Sequence, residues 1–248
     1  DSGFQDGSFD VAQFFVIFNI ARPKGASQDI FYVCDFNKKI RVMQNNQVST
    51  ILDTNYTPIT IAVDSSNKRL FFTDSSDVQT IKQVNLSSLE LSNIAGNEVA
   101  SKIDGVGQNA SFEQIYRMKL DSNEENLFVN DKRYIRRVHL ESLQVSTIYS
   151  SDGIVDFALD TEWFYVLLNT GDVHRIDYSA STITTIAAGF SEPRNLHRTD
   201  TGLLVVGVHH VWSVNLASTC EAIDEDNNPF VCGDGFLFDD SKTDWLCT

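Results

Sequence analysis

The sequence predicts an all-β protein, a β-propeller of four-stranded antiparallel blades, on three observations. The pentapeptide Gln47-Val-Ser-Thr-Ile51 returns as Gln144-Val-Ser-Thr-Ile148, 97 residues later. A second motif, Asp6-Gly7 with Ala12 and Phe14, returns as Asp104-Gly105 with Ala110 and Phe112, displaced by 98 residues. Between these markers four short segments rich in β-branched and aromatic residues recur about every 40 residues, the period of a propeller blade rather than of a sandwich or a helical solenoid.

Each unit opens with an alternating apolar segment that ends in an acidic turn: Ile59–Asp64, Ile115–Asp121, Ile154–Asp160 and Pro193–Asp200. A dense apolar segment follows, as Ile30–Asp35, Leu70–Asp74, Leu127–Asp131, Phe164–Leu168 and Leu203–Gly207. Aromatic and β-branched side chains fit a pleated surface better than a helix, so these read as second strands. A third segment places apolar residues at Ile81/Val84/Leu86, Ile135/Val138/Leu140, Val173/Ile176/Tyr178 and Val211/Val214/Leu216. The fourth is the repeated pentapeptide and its relatives Glu90–Ile94, Thr182–Ile186 and a degraded Thr219–Ile223. In each, the second and last residues alternate with a polar one between them, the period of a strand with two distinct faces.

Taking Asp35, Asp74, Asp131, Leu168 and Gly207 as equivalent gives steps of 39, 57, 37 and 39 residues, the long step holding the Asp104 loop. That counts five blades. Gly235-Phe-Leu-Phe-Asp-Asp240-Ser241 resembles Leu70-Phe-Phe-Thr-Asp74-Ser75, so residues 225–248 are expected to form a partial closing blade or the start of a following Cys-containing segment. The expectation is one propeller domain over residues 1–248 with six blades, the last incomplete; five blades and a tail is the alternative. The missing initial Met and leader read as a processed or excised piece of a longer protein.

The Asp-Gly, Ala, Phe loop, the strands ending in Asp (Phe31–Asp35, Leu127–Asp131) and the closing Ser-Thr-Ile strand resemble the NHL-repeat β-propellers. The match runs from Asp6 to about Ile223 and is best in the first and third units. Leu70-Phe-Phe-Thr-Asp74 is also similar to the YWTD propellers of extracellular receptors, and no Gly-His to Trp-Asp pairing of the WD40 kind occurs. The resemblance implies the fold; propellers bind, scaffold and catalyse alike, so function has to come from the site.

Composition narrows the classes. With 19 Lys and Arg against 34 Asp and Glu, the formal charge of −15 disfavours a general attraction for phosphate backbones and favours cations or basic partners. No apolar run approaches the roughly 20 residues of a spanning helix. Three sequons, Asn55-Tyr-Thr57, Asn85-Leu-Ser87 and Asn109-Ala-Ser111, predict N-linked glycan in a secreted protein. Asn55 and Asn109 fall in connections from an outer strand to the next inner one. Of the four cysteines, Cys34 lies in an apolar strand as a small hydrophobe, whereas Cys220 and Cys232 flank a loop that a disulfide would close in an oxidising compartment.

Catalytic and metal chemistry finds little footing. His139, His174 and His209 are spaced by 35 residues, yet blade alignment gives them non-equivalent positions, and His197 could face the tunnel alone. The positions nearest a tunnel mouth are Asn19, Thr60, Arg117, Asp156 and Asn195, a set with one carboxylate in which calcium on Asn19, Asp156 and Asn195 is conceivable. Asp224-Glu-Asp226-Asn-Asn228 starts like a calcium loop, but Pro229 stands where the glycine is needed. Lys132, Arg133, Arg136 and Arg137 form the basic cluster that RNA would require, but four charges on one hairpin of a strongly acidic chain read rather as salt-bridge partners or a protein contact.

The expected function is therefore non-catalytic: an extracellular or cell-surface glycosylated module that contacts proteins or glycans, with possible self-assembly into a fibrous structure. No metal, cofactor, nucleic acid or membrane insertion is expected. A calcium-dependent hydrolase or lyase at the tunnel mouth is the alternative, and an RNA-binding NHL domain the second alternative.

Overall fold

The computed structural model describes residues 3–27, 29–55, 57–74 and 77–216, together with the backbone of four two-residue strands beyond them. The chain divides into two compact units, Asp1–Thr147 and Ile148–Thr248. Among the described residues there is no α-helix, and no helix long and apolar enough to cross a membrane.

The first unit holds three sheets. One contains β1 (Gly7–Ser8), β2 (Ile17–Ala21), β3 (Ile30–Asp35), β4 (Lys39–Gln44) and β5 (Gln47–Asp53), in spatial order β1-β5-β4-β3-β2. The next is β6 (Pro58–Val63), β7 (Arg69–Asp74), β8 (Asp77–Asn85) and β9 (Leu91–Ala95), in sequential order. The third is built from β10 (Gly105–Val106), β11 (Ile115–Leu120), β12 (Asn126–Asp131), β13 (Tyr134–His139) and β14 (Gln144–Ser150), in order β10-β14-β13-β12-β11. Up-and-down antiparallel order follows from the short connections. The β4–β5 hairpin turns on Asn45 and Asn46 at φ 52° and 57°, both left-handed, a geometry that asparagine tolerates and that matches strand twist.

In the second unit β15 (Ile154–Leu159), β16 (Trp163–Leu168), β17 (Val173–Asp177) and β18 (Ile183–Ala187) form one antiparallel blade, and β19 (Pro193–Arg198), β20 (Gly202–Gly207) and β21 (Val211–Asn215) a three-stranded one. Among the described residues five blades are therefore present, the alternative count. The fifth lacks the outer strand expected at Thr219–Ile223: β22 (Ala222–Ile223) pairs with β23 (Pro229–Phe230) instead of β21. The closing sixth blade is not formed among the described residues. There β24 (Phe236–Leu237) pairs with β25 (Leu246–Cys247) and lies parallel to β18 at Ala187. A blade needs four alternating segments, and this acidic stretch offers three short apolar runs, Pro229–Cys232, Phe236–Phe238 and Trp245–Cys247.

Strand alternation explains the packing. In the second blade Ile61, Val63, Leu70, Phe72 and Val84 join Ile30, Tyr32, Cys34 and Ile40 of the first. Their alternating neighbours Ala62, Phe71 and Ile81, with Ile94 and Ala95, join Ile115, Met118, Leu127, Val129, Val138 and Val145 of the third. Both faces of that sheet are buried, so its strands read as nearly continuous apolar runs. In the second unit Ala158, Tyr165, Leu167, Val173 and Phe190 pack in the same way on Leu196, Leu203, Val205 and Val214.

All five inner strands carry one register shift at the same place: after Ile17, Pro58, Ile115, Ile154 and Pro193. A bulge re-aims the side chain that follows it. The residues immediately beyond the shifts are Asn19, Thr60, Arg117, Asp156 and Asn195, the five tunnel-mouth candidates.

Candidate functional site

The two sequence markers meet in three dimensions. In the third blade the Arg136 guanidinium, fully buried, donates to Asp131 at 2.9 Å, Asp104 at 2.8 Å, the Ser111 carbonyl at 3.0 Å and the Ile103 carbonyl at 2.9 Å. Asp104 in turn accepts the Thr147 amide at 3.0 Å and the Thr147 hydroxyl at 2.9 Å. Thr147 is the threonine of the repeated pentapeptide, and the ring of Phe112 lies 4.9 Å beneath the guanidinium. The first blade repeats the clasp. Arg41 donates to Asp35 at 3.1 Å, Asp6 at 2.9 Å, the Gln13 carbonyl at 2.5 Å and the Gln5 carbonyl at 2.6 Å, while Asp6 accepts the Thr50 amide at 2.9 Å. Here the ring of Phe14 lies 4.2 Å from the guanidinium.

A planar guanidinium is suited to joining two carboxylates and two carbonyls at once. The glycine after each aspartate then pairs as a short outer strand, Gly7 against Val48 and Gly105 against Val145. The Asp-Gly insertion thus ties the loop before the inner strand to the outer edge of the same blade. Burial works against ionisation of Asp104, yet the Thr147 donors and Arg136 hold its carboxyl below the ordinary 3.8. Asp6 is lowered likewise, against partial burial, by Thr50 and Arg41. Burial dominates at Asp131, whose carboxyl is raised in spite of the Gln114 amide and Arg136.

For Lys132 and Arg136 this arrangement agrees with reading the basic cluster as salt-bridge partners. Arg136 faces no solvent, its two terminal nitrogens sharing the four acceptors while its buried Nε has no hydrogen-bond partner, and Lys132 lies 3.0 Å from Glu113. The clasp arginines were legible in one respect: Arg41 and Arg136 accompany the Asp-Gly insertion in the two blades that have it. Aligning the third strands on apolar residues alone passed over the first blade and therefore Arg41.

The other candidates scatter. Asn55, Asn85 and Asn109 are exposed, Asn55 between β5 and β6 and Asn109 ending a short 3-10 turn, Gly107–Asn109. Asn85 closes β8, with its side-chain oxygen accepting the Ser87 amide at 2.9 Å. Cys220 and Cys232 lie outside the described residues. Cys34 is a free thiol, wholly buried, and burial pushes its pKa up, which makes it inert packing. In the second unit Asp156 accepts the Phe157 amide at 2.8 Å through one oxygen and the Leu196 amide at 3.0 Å through the other, tying β15 to β19. Asn195 is exposed, and in the first unit Asn19 is half-buried. His139 is bonded to Ser142 at 2.8 Å and His174 to Tyr149 at 2.8 Å, while His197 and His209 are exposed. Among the described residues no three His, Cys, Asp or Glu side chains are grouped to hold a metal ion. The loop 224–228 is outside the described residues.

Solved structures resemble these blades closely enough to fix the fold. A structure of a nidogen–laminin complex matches at a TM-score of 0.65 and 15% identity, over 82% of this chain and 76% of that one. The chain folds as a β-propeller. A second match to this propeller is a structural-genomics protein of unknown function from Bacteroides thetaiotaomicron VPI-5482, with a TM-score of 0.53 and 14% identity over 83% of this chain and 70% of that one. A third is the β-propeller domain of Myceliophteria thermophila Cps50 (Swd1), with a TM-score of 0.58 and 13% identity over 80% and 70%. No protein-family model and no curated protein sequence matches the propeller.

Phe15, Val16, Ile17, Phe18 and Ile20 remain 41–53% exposed, and Phe36 is 44% exposed. The ring of Phe36 lies 5.2 Å from that of Phe15 and 5.7 Å from that of Phe18, so these three rings form one apolar cluster on the first blade, next in sequence to the exposed Val16, Ile17 and Ile20. The inner strands legible in the sequence start at Ile59–Asp64 and leave this stretch out. What marks it is comparison with its repeat, where Ile115 and Met118 stand in place of Ile17 and Ile20 and are 0% and 4% exposed.

Proposed function

We propose that this chain is an NHL-like propeller module of a secreted or cell-surface glycoprotein, non-catalytic, which binds other proteins or glycans and serves as a building block of a larger assembly. The observation that carries the reading is the exposed apolar cluster of Phe15, Phe18 and Phe36, with Val16, Ile17 and Ile20 exposed beside it in the chain. Contiguous apolar surface of this kind marks a contact site in soluble proteins. Exposure of the three sequon asparagines supports glycan attachment, and the likeness to a propeller structure solved as a nidogen–laminin complex supports protein contact.

The alternatives have less behind them. A calcium-dependent hydrolase or lyase would need Asp156 for the ion, and both of its oxygens already hold backbone amides. RNA binding through the basic cluster would have to proceed without Arg136.

The test is secretion from a eukaryotic cell, followed by peptide mapping for glycan and screening against purified extracellular matrix proteins and glycans. Binding to one of them that is lost in an Ile17→Asp, Phe36→Ser double variant is expected. Turnover of an ester or glycan substrate that requires calcium and Asp156 would overturn the reading.

A further inference from the structure

The outer edges of the blades are not equally finished. In the first and third, the outer strand is covered by the Asp-Gly segment that precedes the inner strand of the same blade. In the fourth, β18 is joined by β24. In the second, β9 pairs among the described residues with β8 alone, because the connection before its inner strand is only residues 54–57, too short to reach back across the sheet.

That bare edge is the same edge. Leu89, Asn46 and Leu143 each turn the hairpin at φ 57°. The carbonyls of Asn46 and Leu143 accept the amides of Phe9 at 3.1 Å and Gly107 at 2.9 Å. Lys82 is opposite Asn93 as Arg41 is opposite Thr50, with a register shift just before each. The Thr50 and Thr147 amides point outward to Asp6 and Asp104, so the Asn93 amide points outward as well. Leu91 occupies the place of Val48 and Val145, and it is 49% exposed where they are 2% and 0%. Finally, Lys82 holds Asp74 at 2.7 Å as the clasp arginines hold Asp35 and Asp131. An ammonium group carries three N–H donors, so capacity remains for a second carboxylate.

We propose that the β9 edge, Leu89 to Asn93, is a strand-addition site for an extended segment of another polypeptide carrying an Asp-Gly-small-residue sequence, bound antiparallel as Asp6-Gly7-Ser8 and Asp104-Gly105-Val106 are bound within the chain. Backbone bonding to an open edge supplies affinity in this mode, and the flanking side chain supplies selectivity. The aspartate accepts the Asn93 amide and faces Lys82, while the glycine lets the backbone close over Leu91. This deepens the reading of a protein-binding module and rests on it.

The probe is the amidated peptide of residues 101–108, Ser-Lys-Ile-Asp-Gly-Val-Gly-Gln, carrying a fluorescein at its N-terminus and added to the whole chain. Binding by fluorescence anisotropy is expected at or below about 1 mM, with amide exchange at Leu91 and Asn93 slowed at least about tenfold at saturation. Leu91→Lys, or Asn93→Pro should the first variant fold poorly, weakens binding at least about tenfold, as does Asn in place of the peptide's aspartate. No binding at about 1 mM, equal binding by the variants, or protection moving to residues 144–147 would each sink the proposal. Those failures leave the binding lost with Ile17→Asp and Phe36→Ser untouched, so failure here is distinguishable from failure of the proposed function.

Discussion

Val48 and Val145 occupy equivalent places: each is buried, and each pairs with the glycine of an Asp-Gly segment, Gly7 or Gly105. The repeat in the sequence is thus the outer half of a clasp whose inner half is an arginine joining two aspartates.

Removing Arg136 should be the most damaging single change in the clasp. Arg136→Met leaves Asp131 and Asp104 without their cation, and a buried pair broken on one side costs about 3–5 kcal/mol. Chemical denaturation should show this loss. Arg136→Lys should recover only part of it, since an ammonium cannot span the same four acceptors.

The two copies of one isoleucine should behave differently. Ile115→Ala opens a cavity in the core between β-sheets of the first unit and should destabilise by about 2–5 kcal/mol. Ile17→Ala removes a half-exposed side chain and should cost under about 1 kcal/mol, while weakening any partner held on the Phe15–Phe36 surface. Thermal unfolding of the pair, measured side by side, checks both.

Acid should act through Asp104 and Asp6. Both carboxyls are lowered in the folded state, so their stabilising contribution is complete above the unfolded pKa and is lost as pH falls through the folded value, below the ordinary 3.8. Asp131 is raised and has the opposite sign: its contribution is complete below the unfolded pKa and lost as pH rises through the folded one. Asp104→Asn should therefore flatten the decline of stability at the acid end of the range, while lowering stability at neutral pH. Denaturation series from pH 7 down to the acid limit would show a shallower slope for the variant; an unchanged slope would count against the assignment.

Gly96 should resist substitution. Its φ is +89°, and a Cβ there would sit 2.0 Å from the Gln79 carbonyl oxygen, a backbone atom with little room to move. Gly96→Ala should cost more than about 1 kcal/mol in denaturant unfolding, the strain exceeding what the reduced freedom of the unfolded chain returns.

Much of the fold was legible because a strand's two-residue alternation is a local property. The second strands of all five blades, from Ile30–Asp35 to Leu203–Gly207, fall within strands of the structure, as do the inner strands apart from their acidic ends. The outer strand at Thr219–Ile223 and the closing blade were misjudged for the converse reason. Which edge a short apolar run joins is decided by what else is available to pair with it, and β22 finds β23 while β24 finds β18.

By itself the sequence determined that one β unit is copied along the chain, where its strands lie, and that two copies carry an extra Asp-Gly loop, since periodicity and side-chain type act residue by residue. Only the tertiary structure decided that Arg136 is fully buried between Asp131 and Asp104, that Asp156 braces two strands, and that Ile17 lies open where Ile115 is covered. Those outcomes depend on which groups distant in sequence arrive beside one another, and burial and charge pairing take their sign from that arrival alone.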